Sequence, residues 1–200
     1  MREFVSWQAW DDADPELADE LPAEVHDVVA RATEAAQQWH SDQRRPTGVP
    51  YVEHLLEALE VLVRGAGVSD PDVLAAVLLH DVAEDTAATV ADVEAQFGPG
   101  VAGYVDWLTK PPTQGRSEAE KRAAKGAYLQ RFADAPPEAV WVKLADRVSN
   151  VQRLYQMPLD FQRRYYAETV DRVVPLAQGH GFFAAWYDDW QHRYAHLNAL

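Results

Sequence analysis

The apolar residues of this chain recur at helical spacing along most of its length. Between residues 26 and 40 they follow the i, i+3, i+4 rule, at Val28, Val29, Ala32, Ala35, Ala36 and Trp39. The same spacing continues through residues 51–67, 71–85 and most of the later segments. Period-2 alternation, which is typical of a half-buried strand, is not sustained anywhere. The pattern predicts an all-α protein, a single helical bundle of roughly eight helices.

Glycines and capping residues divide this pattern into separate helices. Gly67 is a stop signal for the helix that begins near residue 51. Ser69 or Asp70 caps the next helix, and Thr89 caps a later one. The sequence PPTQGRS, residues 111–117, predicts a loop between two helices of the second half.

The composition permits one sizeable core and excludes several functions. The 200 residues are 48% hydrophobic and contain no apolar run long enough to cross a bilayer. The N-terminus lacks the basic and apolar regions of a secretion signal, so we expect a cytoplasmic protein without membrane partners. The formal net charge of −14 argues against nucleic-acid binding, since phosphate backbones require a clustered basic surface. Because cysteine is absent, any metal must be held by His, Asp or Glu.

The acidic residues are concentrated at the N-terminus. Residues 1–24 contain eight Asp or Glu and one Arg, a segment charge of −7 and half of the total. We interpret this segment as an acidic N-terminal arm, either solvated or packed back through Trp7 and Trp10. Residues 25–200 would then form the single domain.

The most apolar stretch of the chain, LAAVLLHDVAEDT at residues 74–86, ends in charge. On a continuous helix His80 would stack over Glu84, and Asp81 over Asp85. Four such groups cannot all be buried unpaired, because each isolated ion costs several kcal/mol. A divalent cation at this end of the helix would resolve the conflict.

Two more residues are candidate ligands for the same ion. His54 lies one turn into the helix that begins near residue 51, and Asp146 lies on a helix whose other residues include an apolar stripe. With His80 and Asp81 they form a set of two nitrogen and two oxygen ligands that suits an ion such as Mn²⁺. A lone His or Asp on a helix more often has a structural role, and spacing alone does not bring these residues together.

The order of these residues resembles a known family. His54, then His80-Asp81, then Asp146 is similar to the H…HD…D pattern of HD-domain metal phosphohydrolases. More narrowly, residues 26–178 resemble the hydrolase domain of RelA/SpoT-type enzymes and the stand-alone small alarmone hydrolases. The segments that carry this likeness are HSDQRRPTGVPYVEH, LLHDVAEDT, FGPGV, LTK and VKLADRVSN.

The resemblance implies an activity and a role for each matching residue. It implies a Mn²⁺-dependent hydrolase that removes the 3′-pyrophosphate of ppGpp or pppGpp in the stringent response, with His54, His80, Asp81 and Asp146 as ligands. Glu84 and Asp85 would position or deprotonate the attacking water, and Asn150 matches a further site residue. The residues implied to contact the guanine nucleotide are Arg44, Arg45, Lys110, Lys143, Arg147 and Tyr166. The basic residues Lys121, Arg122 and Lys125 are expected to lie on a solvated helix face.

Other functions and assemblies remain open on the sequence. A related fold could hydrolyse another nucleotide, such as ppApp, a nucleoside monophosphate or the 2′-phosphate of NADPH, or serve as a regulatory or antitoxin domain without activity. The aromatic segment at residues 182–200 predicts core packing or a partner surface. We therefore expect a monomer or a homodimer.

Overall fold

The computed structural model describes residues 1–111 and 117–198, and their regular structure is helical. The all-α prediction is confirmed. Apart from short 3₁₀ and π segments, the described helices are α1 Trp10–Glu20, α2 Ala23–His40, α3 Tyr51–Glu60, α4 Pro71–Leu79, α5 Val82–Asp85, α6 Val90–Leu108, α7 Glu118–Gln130, α8 Pro137–Val151, α9 Leu159–Arg172, α10 Val174–Ala177 and α11 Gly181–Arg193. Most of the loop predicted at residues 111–117 lies outside the described residues.

The described ranges hold eleven α-helices where the pattern predicted roughly eight. The segment predicted over residues 71–85 is divided at His80 and Asp81 into α4 and α5. The segment after Pro158 is divided before Pro175, whose ring and missing N–H end a helix. A kink at Gly98 interrupts α6, because its φ of 85° and ψ of 172° are not helical, and glycine adopts them without strain.

Helix α4 is the centre of the bundle. All seven residues from Val73 to Leu79 are buried, and the helix packs against α2, α3, α6 and α8. Asp70 is its N-cap, since its carboxylate accepts from the N–H groups of Asp72 and Val73 at 2.9 and 3.1 Å. A helix that is apolar on every face is fixed in the core, so its C-terminal end has a defined position.

The acidic segment 1–24 packs against the rest of the chain. Phe4 and Trp7 are buried, and the Trp7 indole N–H donates to Glu16 at 2.6 Å. The Arg64 guanidinium lies 4.6 Å from the Trp7 ring. The side chain of Gln152, beside the end of α8, donates to the Phe4 carbonyl and accepts from its N–H. Of the two alternatives for this segment, packing on the body is the one seen.

Replacing Trp7 with alanine is expected to destabilise the whole domain. The change empties a buried aromatic site, which typically costs about 3–5 kcal/mol in the free energy of unfolding. Urea denaturation of the variant and the wild type would measure this loss. Equal midpoints would show that residues 1–24 are not part of the cooperative fold.

The aromatic C-terminal segment packs in the core beneath α8. The Tyr187 hydroxyl donates to the Leu144 carbonyl, and the Trp190 indole N–H donates to that of Val151, each at 3.0 Å. Both side chains are fully buried, and Phe183 and Trp186 are buried beside them. α8, which carries Asp146, is therefore supported from behind by aromatic packing. No helix among the described residues is both long and apolar enough to cross a membrane.

Candidate metal centre and nucleotide pocket

The break between α4 and α5 places His80 and Asp81 at the end of the buried helix. Asp81 has φ −101° and ψ −3°, which turns the chain between the two helices. The Nδ1–H of His80 donates to the Val77 carbonyl at 2.7 Å. Because that carbonyl only accepts, Nδ1 keeps its proton in the neutral ring, and the lone pair for a metal is then on Nε2.

Four side chains from three parts of the bundle converge at this break. His54 Nε2 lies 3.4 Å from Asp146 Oδ1 and 3.7 Å from Asp81 Oδ2. His80 Nε2 lies 3.0 Å from Asp81 Oδ2 and 3.6 Å from Asp146 Oδ1. His54 arrives from α3 and Asp146 from α8, so the packing of both helices against α4 assembles the cluster.

This cluster fits a divalent cation. The ligand atoms of His54, His80 and Asp81 all lie within 4.8 Å of one another. Two ligands on one ion with bonds of about 2.1 Å are about 3–3.4 Å apart, close to the separations found here. The buried Nε2 of His80 has no hydrogen-bond partner, as expected for an atom reserved for a metal. The donor set of imidazole nitrogens and carboxylates suits Mn²⁺, Fe²⁺ or Zn²⁺.

The electrostatics of the cluster also favour a cation. Burial opposes ionisation of Asp81 and Asp146, yet His80 and His54 hold the pKa of Asp81 well below the usual range. Lys143, together with the same two histidines, does so for the pKa of Asp146. Burial would lower the pKa of His80, but the two carboxylates outweigh it and raise that pKa to about 10. Both carboxylates are therefore ionised near neutral pH, ready to hold positive charge.

The cluster lies at one side of a cavity of about 450 Å³. Among the described residues, six cationic side chains line this cavity, namely those of Arg44, Arg45, Lys110, Lys125, Lys143 and Arg147. Phe161 and Tyr165 add aromatic surface. The whole chain has a net charge of −14, so this concentration of positive charge marks a site for a small anionic ligand.

Two arginines predicted to contact the nucleotide differ in how firmly they are held. Arg44 is exposed and donates to the Gly48 carbonyl at 2.9 Å. Arg45 donates to Glu57 at 3.1 Å and to Asn150 Oδ1 at 3.3 Å. The amide of Asn150 in turn donates to Asp146 Oδ1 at 2.6 Å. Asn150 therefore lies between Arg45 and a candidate ligand, Asp146.

Glu84 and Asp85 are placed differently from the expectation. Because α4 ends before His80, the two residues belong to the separate helix α5, and neither lines the cavity. Glu84 accepts from the backbone N–H of Lys110 at 2.6 Å and from its ammonium at 2.7 Å. Asp85 accepts from Gln43 at 3.1 Å. Each carboxylate thus contacts a residue that does line the cavity.

Tyr166, which the resemblance predicts to contact the nucleotide, is buried in the core and does not line this cavity. Its ring stacks on Trp190 with centroids 5.1 Å apart. One position along α9 rotates a side chain by about 100°, and Tyr165 is the residue that lines the cavity. The Arg147 guanidinium lies 4.4 Å from the Tyr165 ring and donates to Glu168 at 2.9 Å.

Several described residues of the site were missed by the sequence analysis, among them Tyr51, Phe161 and Tyr165 of the cavity lining and the three residues below. Lys125 lines the cavity and pairs with Glu168 at 2.5 Å, although a solvated face was expected for it. Glu57 and Ser149 are buried behind His54. The one available signal was Glu57 itself, an acid flanked by Leu55, Leu56, Ala58 and Leu59 on an apolar helix.

Known proteins resemble this chain in sequence and in fold. A Synechocystis sp. protein named probable guanosine-3′,5′-bis(diphosphate) 3′-pyrophosphohydrolase is 34% identical over 185 residues, 92% of this chain and 24% of the relative. An Aquifex aeolicus protein named guanosine-3′,5′-bis(diphosphate) 3′-pyrophosphohydrolase is 32% identical over 170 residues, 83% of this chain and 24% of the relative. The chain thus spans about a quarter of the length of these two relatives.

A solved structure and a family model agree with these matches. The structure is that of a metazoan ortholog of SpoT that hydrolyzes ppGpp; it has a TM-score of 0.73 and 28% identity, over 83% of this chain and 94% of that one. The HD domain model matches residues 32–183, which include His54, His80, Asp81 and Asp146. The chain belongs to the HD domain family.

Proposed function

We propose that this protein removes the 3′-pyrophosphate of ppGpp or pppGpp with the help of a bound Mn²⁺ ion, leaving GDP or GTP. One observation carries the proposal: the buried His-Asp cluster opens into a cavity lined by cations on a strongly acidic chain. The names of the relatives and the ppGpp hydrolysis attributed to the structural neighbour support it. The reaction would take place in the cytoplasm, on a monomer or a homodimer.

The candidate ligands would hold the cation next to the phosphates. A divalent ion there supplies Lewis acidity, which polarises the phosphoryl oxygen and lowers the pKa of the attacking water. Lys143, nearly fully buried and 2.8 Å from Asp146, brings a fixed positive charge to the same place. Arg147, also buried, lies about one turn further along α8 and adds a second positive charge. Such preorganised charges would stabilise the negative charge that develops on the phosphoryl oxygens under attack and on the departing O3′.

Proton transfer from the attacking water is proposed for Glu84 or Asp85. Both carboxylates are one contact away from the cavity lining, Glu84 through Lys110 and Asp85 through Gln43. A carboxylate within hydrogen-bond reach of a polarised water accepts its proton near neutral pH. Asn150 would orient the site, since it bonds both Asp146 and Arg45.

The guanosine would bind to other residues of the cavity lining, Arg44, Arg45, Lys110, Lys125, Phe161 and Tyr165, here called the nucleotide wall. Arginine planes stack on bases and also pair with phosphates, so Arg44 and Arg45 suit either contact. Phe161 and Tyr165 offer aromatic surface for the same purpose, and their rings are stacked with centroids 5.0 Å apart. The lysines of the wall, Lys110 and Lys125, would neutralise the phosphates.

A substrate panel tests this proposal. We expect the purified protein with added Mn²⁺ to convert ppGpp to GDP and pyrophosphate, and to lose this activity in EDTA. Parallel reactions with pppGpp, ppApp, a nucleoside monophosphate and NADPH would measure selectivity by chromatography of the products. Preferred turnover of NADPH or a monophosphate would favour the alternative, an HD-domain hydrolase that acts on another nucleotide. A protein that retains Mn²⁺ and turns over none of these nucleotides would contradict an enzymatic role.

A further inference from the structure

A buried carboxylate lies behind the candidate metal ligand His54 and is absent from the roles assigned above. Glu57, one turn further along α3, has a side chain with no solvent exposure. It accepts from the guanidinium of Arg45 at 3.1 Å, from Arg153 and from the hydroxyl of Ser149. A fully buried carboxylate must have partners of this kind, because an unpaired one costs several kcal/mol.

The bond from Ser149 determines which nitrogen of His54 carries a proton. The Ser149 hydroxyl has one hydrogen, which it donates to Glu57. At its 2.8 Å contact with His54 Nδ1 the hydroxyl oxygen must therefore accept. The proton is consequently on Nδ1, and the lone pair is on Nε2, which faces Asp81 and Asp146.

The same carboxylate also orients a residue of the nucleotide pocket. Arg45 lines the cavity, and one of its terminal nitrogens is bound to Glu57 while the other reaches Asn150. A guanidinium held at two points presents a fixed plane, so less conformational entropy is lost when a ligand binds. Glu57 is thus bonded through Ser149 to the candidate metal cluster and directly to Arg45 of the pocket.

We infer that Glu57 is a positioning residue that acts through Ser149 on His54 and directly on Arg45, so that one buried carboxylate aligns the metal centre and the nucleotide wall. It contacts neither the ion nor the substrate in this role. The nucleotide half of the inference rests on the proposed function; the metal half rests on the geometry of the cluster alone.

Mn²⁺ affinity, measured by electron paramagnetic resonance of the free ion, tests the metal half without any substrate. Loss of outer-shell partners of a ligating His typically weakens metal binding about 10–100-fold. We expect a loss in this range for Glu57→Ala, and a loss of about tenfold or more for Ser149→Ala. Because the carboxylate acts on His54 through the hydroxyl, the double variant should bind Mn²⁺ no more weakly than Ser149→Ala alone.

Glu60→Ala is the matched control. Glu60 lies on the same helix and is equally buried, but it bonds Ser6 and lies near Arg2 and Arg64, away from the cavity. We expect this variant to be destabilised, as judged by thermal melting in EDTA, with its Mn²⁺ dissociation constant unchanged. Equal dissociation constants for the wild type, Glu57→Ala and Ser149→Ala would overturn the inference. If Glu57→Ala does not fold, an unchanged Mn²⁺ dissociation constant in Ser149→Ala is by itself enough to overturn the inference.

The kinetic readout separates the two halves. Ser149→Ala keeps the pair between Arg45 and Glu57, so its KM for ppGpp at saturating Mn²⁺ should equal that of the wild type. Glu57→Ala should raise that KM about tenfold, the cost of losing one charge-assisted hydrogen bond. A KM that rises equally in both variants would contradict the separate roles. Absence of ppGpp turnover in the wild type would refute the proposed function, while the Mn²⁺ measurements would still decide the metal half.

Discussion

Replacement of Asp81 by alanine is expected to abolish both cation binding and hydrolysis. Asp81 Oδ2 is 3.0 Å from His80 Nε2 and accepts the hydroxyl of Tyr51, so it is central to the cluster. A metal contributes several kcal/mol of transition-state stabilisation, and each 1.36 kcal/mol is a factor of ten in rate. We therefore expect a loss of about 10³-fold or more in kcat/KM for ppGpp, with Mn²⁺ binding weakened in parallel.

Asp171→Ala serves as the control for this variant. Asp171 is an exposed carboxylate next to Arg172 at the end of α9, outside the cavity lining. Its replacement should leave Mn²⁺ affinity and turnover within twofold of the wild type, about 0.4 kcal/mol. Full Mn²⁺ affinity in Asp81→Ala would contradict the assignment of this cluster as the metal centre.

Replacement of Glu84 by glutamine is expected to stop turnover while Mn²⁺ remains bound. Glutamine keeps the size of the side chain but cannot accept a proton, and a general base typically contributes a factor of about 10²–10⁴. Because Glu84 lies on α5 and bonds Lys110 instead of the cluster, Mn²⁺ affinity should stay unchanged. Single-turnover kinetics and Mn²⁺ titration of the same preparation would measure the two quantities.

The control for Glu84→Gln is a second carboxylate that pairs with a lysine. Glu118 and Lys121 form an exposed pair at 2.8 Å on α7, so Glu118→Gln removes a similar contact away from the catalytic groups. Its kcat should match that of the wild type. If Lys110→Ala reproduces the full loss seen in Glu84→Gln, Glu84 acts by holding Lys110, not as a base. If Glu84→Gln loses its Mn²⁺, the separation of ligands from proton acceptors is wrong.

The fold class and many helix positions could be predicted because they depend on local spacing and caps. α2 follows a 3.6-residue apolar stripe, and Thr89 and Asp70 cap their helices as ordinary N-cap residues do. The break at His80 could not be predicted, since LLHDVAED contains no glycine or proline that would end a helix. There the packing of α4 against four neighbouring helices overrides the local preference.

Site residues could be predicted where they belong to a local sequence motif. They were missed where the packing of a helix decides which of its side chains face the cavity. The candidate ligands followed from the resemblance and lie together. Tyr165 and Tyr166 differ by one position, and only the docking of α9 decides which one faces the cavity. Lys125 similarly belongs to the cavity because α7 presents that face to it. Glu57 stands out in the sequence as an acid on an apolar helix, but its role depends on its partners Ser149, Arg45 and Arg153, which come from distant parts of the chain.

The products of ppGpp hydrolysis in oxygen-18 water, analysed by mass spectrometry, test the central claim most directly. In the proposed reaction water attacks the phosphorus nearest the ribose, the bond from that phosphorus to O3′ breaks, and O3′ gains a proton. With Mn²⁺ present, the account predicts pyrophosphate that carries one oxygen-18 atom and unlabelled GDP, and neither product in EDTA. Release of single phosphate, or turnover that is unchanged by EDTA, would contradict it.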